Sequence, residues 1–245
     1  MTHSLKKSLI CAVAAALVCQ APMAQLAPLH ASSWEVSGEF NYLANPEMPY
    51  GTTVWHYGWR PAGQWAAVFN YLTGAYVPNL IFRGFQKSGS EQLPLVAQNT
   101  RMKPIYTGSP GYKLAGRAIV LHPGGACETA VVRFLAPVAG QYRVSGQFYG
   151  LDGSGTATQT SNRVIAHTVI NPNNTLHLGA VSLPNQPQSS FTSKLVMLPS
   201  LGALDFEVGC GPAGNYLYGS TGLHAVIERT PVEYCEYKPG TEPPC

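Results

Sequence analysis

The sequence predicts an all-β protein, a two-sheet antiparallel β-sandwich of jelly-roll type. Three observations carry that reading. Apolar residues recur with a period of two in segment after segment. Turn signals rich in glycine, proline and asparagine separate the segments. Beyond the N-terminal leader, no stretch sustains a helical period of apolar residues.

The leader comes first. Lys6 and Lys7 precede a short apolar run, Leu9 to Val18, and small residues follow. That order of charge, apolar run and small residues is a secretory signal peptide, too short to cross a bilayer as a helix. Cleavage is expected after Ala24, with Ala31 as the alternative, so the signal peptide is 1–24. No second long apolar run follows. The expectation is an exported protein with no integral membrane span after cleavage.

The next segment reads as a strand, because Trp34, Val36, Gly38, Phe40 and Tyr42 alternate with Glu35, Ser37, Glu39 and Asn41. Residues 53–59 read as extended and 80–86 as a further strand, whereas 87–114 read as a long loop. From there the spacing predicts strands at 117–121, 129–135, 142–148, 163–170, 175–183, 190–198, 204–208 and 222–229. Turn signals lie at 123–125, 137–140, 152–155, 171–174 and 183–187. No linker divides the chain, so 32–229 reads as one sandwich domain with a loop-rich N-terminal part. Residues 230–245 form a proline-rich C-terminal tail.

Composition narrows the function classes. Only 11% of residues are charged, while 10% are aromatic, which a disordered chain would not show. Losing Lys6 and Lys7 with the leader brings the formal charge of +3 close to neutral. No cluster of lysine and arginine remains to make a nucleic-acid footprint, so no nucleic-acid partner is expected.

Six cysteines are present, of which Cys11 and Cys19 leave with the leader. Cys127, Cys210, Cys235 and Cys245 remain, an even number in an exported chain, which points to disulfides. Among the possible pairings, Cys127–Cys210 and Cys235–Cys245 are favoured. The first joins two segments next to strands, and the second closes a small loop in the tail. The ligand spacings of a zinc site do not occur.

Gly209 to Gly214 (Gly-Cys-Gly-Pro-Ala-Gly) fits the G-x-G-x-x-G pattern of a dinucleotide-binding loop. That chemistry needs a helix directly after the loop. Here Asn215-Tyr216-Leu217-Tyr218-Gly219 follows, with no helical period. The glycines read instead as a tight connection between antiparallel strands.

Several motifs in order carry a family resemblance: Asn45-Pro46, W-H-Y-G-W at 55–59, L-H-P-G at 121–124, the run 131–152 and the run 205–223. Together they resemble a module of secreted bacterial proteins found upstream of PEP-CTERM-type sorting tails. The resemblance implies a jelly-roll, carbohydrate-binding-like sandwich and supplies no catalytic residues. The chain departs from the pattern in having no apolar sorting helix or basic end after residue 228, which favours free secretion or periplasmic residence.

Candidate site residues follow from what a sugar needs. Trp55, Tyr57 and Trp59 share one face of an extended segment. They form either a stacking strip for a glycan or part of the sandwich core. Asn215, Tyr216 and Tyr218 flank the glycine loop, where an amide beside rings suits sugar hydroxyls and where rigid strands commonly hold sites. His122, at a strand end, reads as a ligand contact or a loop-fixing residue. Asp152, in D-G-S-G, is a turn residue or a weak calcium ligand; no other cofactor is indicated. Asp205 and Glu207 share the face of their strand opposite Leu204, Phe206 and Val208, and read as solvent-facing charges. The first expectation is therefore a non-catalytic binding module for a glycan. The second is a structural or interaction protein meeting another envelope protein, and the third is a polysaccharide-acting enzyme.

Overall fold

A computed structural model describes residues 33–43, 45, 53–64, 68–77, 81–89, 92–107, 112–151, 160–168, 174–181, 189–217 and 219–230. The leader, Asp152, Tyr218, Cys235, Cys245 and the tail beyond residue 230 lie outside the described residues. The strands are β1 (Ser33–Glu35), β2 (Trp55–Arg60), β3 (Asn70–Tyr71), β4 (Gly74–Tyr76), β5 (Phe82–Gln86), β6 (Leu95–Asn99), β7 (Ile105–Thr107) and β8 (Tyr112–Leu114). They continue with β9 (Ile119–His122), β10 (Thr129–Leu135), β11 (Gly140–Gly150), β12 (Thr160–His167), β13 (Asn174–Val181), β14 (Ser189–Leu198), β15 (Ala203–Cys210) and β16 (Thr221–Arg229). One short helix, α1 (Val36–Glu39), follows β1. None of the described helices is long and apolar enough to cross a membrane.

Two antiparallel sheets form the expected sandwich. One runs β14-β11-β16-β9-β6-β5-β4, with β1 paired to β16, and the other runs β13-β12-β15-β10-β2-β3. Strands β9 to β12 alternate between the sheets, as do β14 to β16, so the chain crosses repeatedly from layer to layer. Among the described residues, β7 and β8 pair only with each other.

The period of two works as the physics requires. Ala130, Val132 and Phe134 of β10 and Leu204, Phe206 and Val208 of β15 point inward and are buried. They meet Tyr142, Val144 and Phe148 of β11 and Leu223, Ala225 and Ile227 of β16 in one core. Aromatic rings stitch the layers together. Trp55 lies 5.3 Å from Phe134, edge to face, and Trp34 lies tilted 5.4 Å from the same ring, as ring quadrupoles prefer. Gly214 has φ +63°, and its N–H donates to the Gly211 carbonyl at 2.9 Å. The glycine run is thus a turn leading from β15 into β16, with no helix to face a pyrophosphate.

Two expectations are corrected. The segment 34–42 is not one strand. It pairs with β16 over Ser33, Trp34 and Glu35 and then coils into α1. The Glu35 N–H donates to the Glu39 carboxylate at 3.0 Å, and the coil still buries Val36 and Phe40. Nor is 87–114 a loop, since β6 lies inside the larger sheet between β5 and β9. Every residue of Leu95–Asn99 is buried, so no alternation marked it. Its polar members are satisfied internally. Gln98 donates to the Ser37 and Arg117 carbonyls at 2.6 and 3.0 Å, and Asn99 donates to the Ala115 carbonyl at 2.9 Å.

One expected disulfide is present: Cys127 and Cys210 are bonded across a sequence separation of 83, joining the β9–β10 connection to the end of β15. Closing so long a loop restricts the unfolded chain. The double variant Cys127→Ser/Cys210→Ser is expected to lose about 2–4 kcal/mol of stability. Urea unfolding of variant and wild type under oxidising conditions measures the difference; coincident curves would contradict the assignment.

Candidate functional site

The outer face of the six-stranded sheet carries the densest chemistry in the described protein. β15 presents Asp205 and Glu207 on this face, opposite its core residues. Across the sheet, Arg133 stands in register with Asp205 and Arg163 with Glu207. Arg60, from β2, reaches over to both carboxylates: it pairs with Asp205 and places Nη1 2.9 Å from Glu207. Arg133 donates from Nε and Nη2 to the two oxygens of Asp205 at 2.7 and 2.8 Å. Nη2 of Arg163 lies 2.8 Å from Glu207, and Nε2 of His167 lies 2.7 Å from Asp205.

The expectation of solvent-facing acids is corrected here, because Asp205 and Glu207 are 0% and 1% exposed. Phe69, just before β3, adds cover on this face. It lies on the guanidinium of Arg133, 4.0 Å from carbon to ring centre. The same ring presses on Gly58, where a Cβ would sit only 2.4 Å from it. Burial opposes the charge of Asp205, but Arg133, His167 and Arg60 outweigh it and hold the carboxyl well below the usual carboxylate range. Glu207 moves the other way, since burial outweighs the pull of Arg60 and Arg163. Opposed shifts in a carboxylate pair are common at catalytic centres. Here both acids are sealed beneath arginines, with no surface left for a sugar to reach.

What this face does offer, among the described residues, includes two clefts. One, of about 410 Å³, is lined by Arg133, His167 and Thr168 together with the Pro199–Ala203 turn. The other, of about 430 Å³, is lined by Gln64, Thr129, Ser161, Arg163 and Leu178 together with the disulfide and Gly209. They lie toward opposite ends of β12, His167 lining one and Ser161 to Arg163 the other, so their nearest residues on this strand are roughly 13 Å apart at ordinary strand rise. The arginines at their edges are immobilised by the buried carboxylates, so their positions are set before any ligand arrives.

The other sequence candidates separate into two groups. Of the two readings of Trp55 and Tyr57, stacking strip or core, the structure shows core, so they are no ligand contacts. Each is 1% exposed, and Tyr57 stacks on Phe85 at 5.4 Å. Their shared face is the inner face of β2, where the apolar rings meet the opposite sheet. Trp59 is half-buried against the same core, with the Lys87 ammonium 4.4 Å from its ring centre. Lys87 also pairs with Glu128 at 2.5 Å, which outweighs burial and lowers the carboxyl of Glu128. His122 and Tyr216 do come together, their rings 6.4 Å apart near edge-on. The ring nitrogen Nδ1 of His122 lies 2.7 Å from the Pro123 carbonyl, and Asn215 accepts from the Leu217 N–H at 2.9 Å. Both are contacts that fix loops. Among the described residues, no three His, Cys, Asp or Glu side chains gather to hold a metal ion.

Arg60, Arg133, Arg163 and His167 escaped the sequence reading. The only available signal was a basic residue on the same strand parity as the acids, which becomes meaningful once the register is known.

No family model matches the chain, and no curated protein matches it. Among solved structures, the chain is similar to the GH26-CBM35 β-(1,4)-mannanase of Podospora anserina, with 11% identity and a TM-score of 0.28, over 56% of this chain and 25% of that one. It is similar to the Arthrobacter globiformis T6 isomalto-dextranase complexed with panose, with 15% identity and a TM-score of 0.25, over 59% of this chain and 22% of that one. A CBM61 module in complex with β-1,4-galactotriose aligns at 15% identity and a TM-score of 0.28, over 64% of this chain and 92% of that one. The chain thus spans a quarter or less of the two enzymes.

The ion network makes a pH-dependent contribution to stability. Asp205 binds its proton less readily when folded than when unfolded. Its contribution is therefore complete above the unfolded-state value of about 3.9 and is lost as pH falls below it. Asp205→Asn leaves buried guanidinium charge uncompensated and is expected to cost about 3–5 kcal/mol at neutral pH. Denaturant titrations at neutral pH and near pH 3 test this, the gap between variant and wild type narrowing in acid.

Proposed function

We propose that the chain is an exported, non-catalytic binding module that holds a glycan on the outer face of its six-stranded sheet. One observation supports the reading above others. Two clefts on one sheet face are edged by arginines whose carboxylate partners fix them in place. Immobilised donors suit polyhydroxyl ligands, because ordering them costs little on binding. The separation of the clefts suits a linear chain lying along β12. Gln64, Ser161 and Leu178 give the second cleft the mixture of amide, hydroxyl and apolar wall that sugar rings engage. His122 and Tyr216 stay outside this site, at the neighbouring end of the sandwich.

A glycan array followed by affinity electrophoresis tests the proposal. Retention by at least one polysaccharide is expected. Gln64→Ala should weaken that binding about fivefold, the effect of one lost hydrogen bond of about 1 kcal/mol. Folded protein retained by no glycan would refute the reading.

A second reading, a partner in the bacterial envelope, is supported by the edge of the larger sheet. β14 pairs with β11 alone among the described residues and exposes Leu195 and Met197, at 49% and 61%. Bare strand edges beside apolar side chains recruit other chains. If the edge is used, Leu195→Lys/Met197→Lys abolishes the assembly that light scattering or crosslinking detects in the wild type; a wild type that stays monomeric and recovers no partner rules the edge out.

A further inference from the structure

We infer that Ser189 is an acyl acceptor: a nucleophilic serine, served by the imidazole of His177, that takes an acyl group from an activated carboxylic ester. The inference goes beyond the glycan-binding reading and does not depend on it. Three side chains carry it. β13 and β14 are the end strands of their two sheets and adjoin where the layers meet. His177 of β13 and Ser189 of β14 face each other there, with Nε2 2.7 Å from Oγ. Both residues are half-buried. Asn162 of β12 stands in register with Gly179 of β13. It is 1% exposed, and among the described residues neither its amide nitrogen nor its amide oxygen has a hydrogen-bond partner. Gly179 brings the three together. A Cβ there would strike Oγ of Ser189 and lie 2.7 Å from both Oδ1 of Asn162 and Nε2 of His177. The absent side chain lets hydroxyl, imidazole and unused amide converge on one point.

The chemistry of each group fits. Burial and the Lys194 charge hold His177 below the ordinary imidazole range, so at neutral pH its ring is uncharged and can accept the hydroxyl proton. Phe148 stacks on that ring at 6.3 Å and Phe191 lies against it at 5.6 Å, which fixes its direction. A buried amide without a partner is costly. An acyl oxygen gaining charge would accept from the Asn162 N–H, as at an oxyanion hole. In the step, Oγ bonds to the acyl carbon and its proton passes to Nε2. The bond from the acyl carbon to the leaving oxygen then breaks, and that oxygen takes the proton. An ester of Ser189 and a free alcohol result. Among the described residues no carboxylate pairs with His177, so the imidazolium lacks the partner that a triad supplies. The donor must therefore be an activated ester, and the acyl group is expected to stay on the chain.

The intact protein is incubated with p-nitrophenyl acetate at neutral pH and, separately, with a fluorophosphonate probe. Mass spectrometry counts the added groups and peptide mapping places them. One group per chain, on Ser189, is expected. Ser189→Ala should abolish it, while Ser190→Ala, which removes the exposed neighbouring hydroxyl, should leave it unchanged. His177→Gln keeps a hydrogen-bonding side chain, loses the base and should slow acylation about a hundredfold. Asn162→Leu should slow it by about the same factor. Circular dichroism checks that each variant is folded. A wild type that takes no group, or takes it only at other residues, overturns the inference, and mapping on the wild type decides this whether or not a variant folds. A folded His177→Gln reacting at the wild-type rate overturns it too. Alcohol release continuing past one equivalent keeps Ser189 as the acceptor and overturns the non-catalytic reading of the chain. An empty glycan array leaves acylation untouched, so the two readings fail separately.

Discussion

Burying two carboxylates on the outside of a sheet is the constraint from which much of this structure follows. A buried charge is tolerable only when paired and hydrogen-bonded. Asp205 and Glu207 therefore require Arg60, Arg133 and Arg163 at their present positions. Arg60 meets that requirement only if β2 lies beside β10, as its register shows. The arginines in turn need a lid, which Phe69 supplies over Arg133 where Gly58 leaves room for the ring. Such a network adds little net stability relative to an apolar replacement, yet removing one member is costly. Its effect is to fix which strands are neighbours and where the positive groups sit.

The inner face obeys a different rule. There the rings of Trp34, Trp55, Phe134, Tyr142 and Phe206 interlock with aliphatic side chains from both sheets. The six-stranded sheet is thus covered on both sides, by hydrocarbon within and by an ion network without. This explains why so many of its polar residues are buried, His56 and Thr129 among them. The disulfide closes the end of this layer beside the larger cleft, so the covalent link and the candidate site share one set of loops.

The same arrangement separates two functional readings that look alike in composition. Aromatic residues were the natural place to seek a sugar platform, but in this chain the alternating aromatics of β2 hold the sheets together. The polar surface belongs instead to arginine, serine and glutamine side chains on the opposite face. Asp205 and Glu207, two acids on one strand, read in the sequence as solvent-facing charges. Instead they are enclosed beneath guanidiniums and anchor the groups above them.

The sequence by itself determined the layered antiparallel architecture, most strand positions from 117 onward, the turn at the glycine run and the Cys127–Cys210 bond. Each is written locally, in alternation, in turn chemistry or in the scarcity of cysteine. What it could not show is which face of an alternating strand meets water. A period of two reveals that Asp205 and Glu207 lie opposite Phe206, and nothing more. β6 was invisible because a strand covered on both faces loses its alternation. The site residues were invisible because Arg60 lies 145 positions from Asp205. Only the tertiary register brings them together, since pairing between distant strands is decided by the fit of whole faces, and no single segment carries that information.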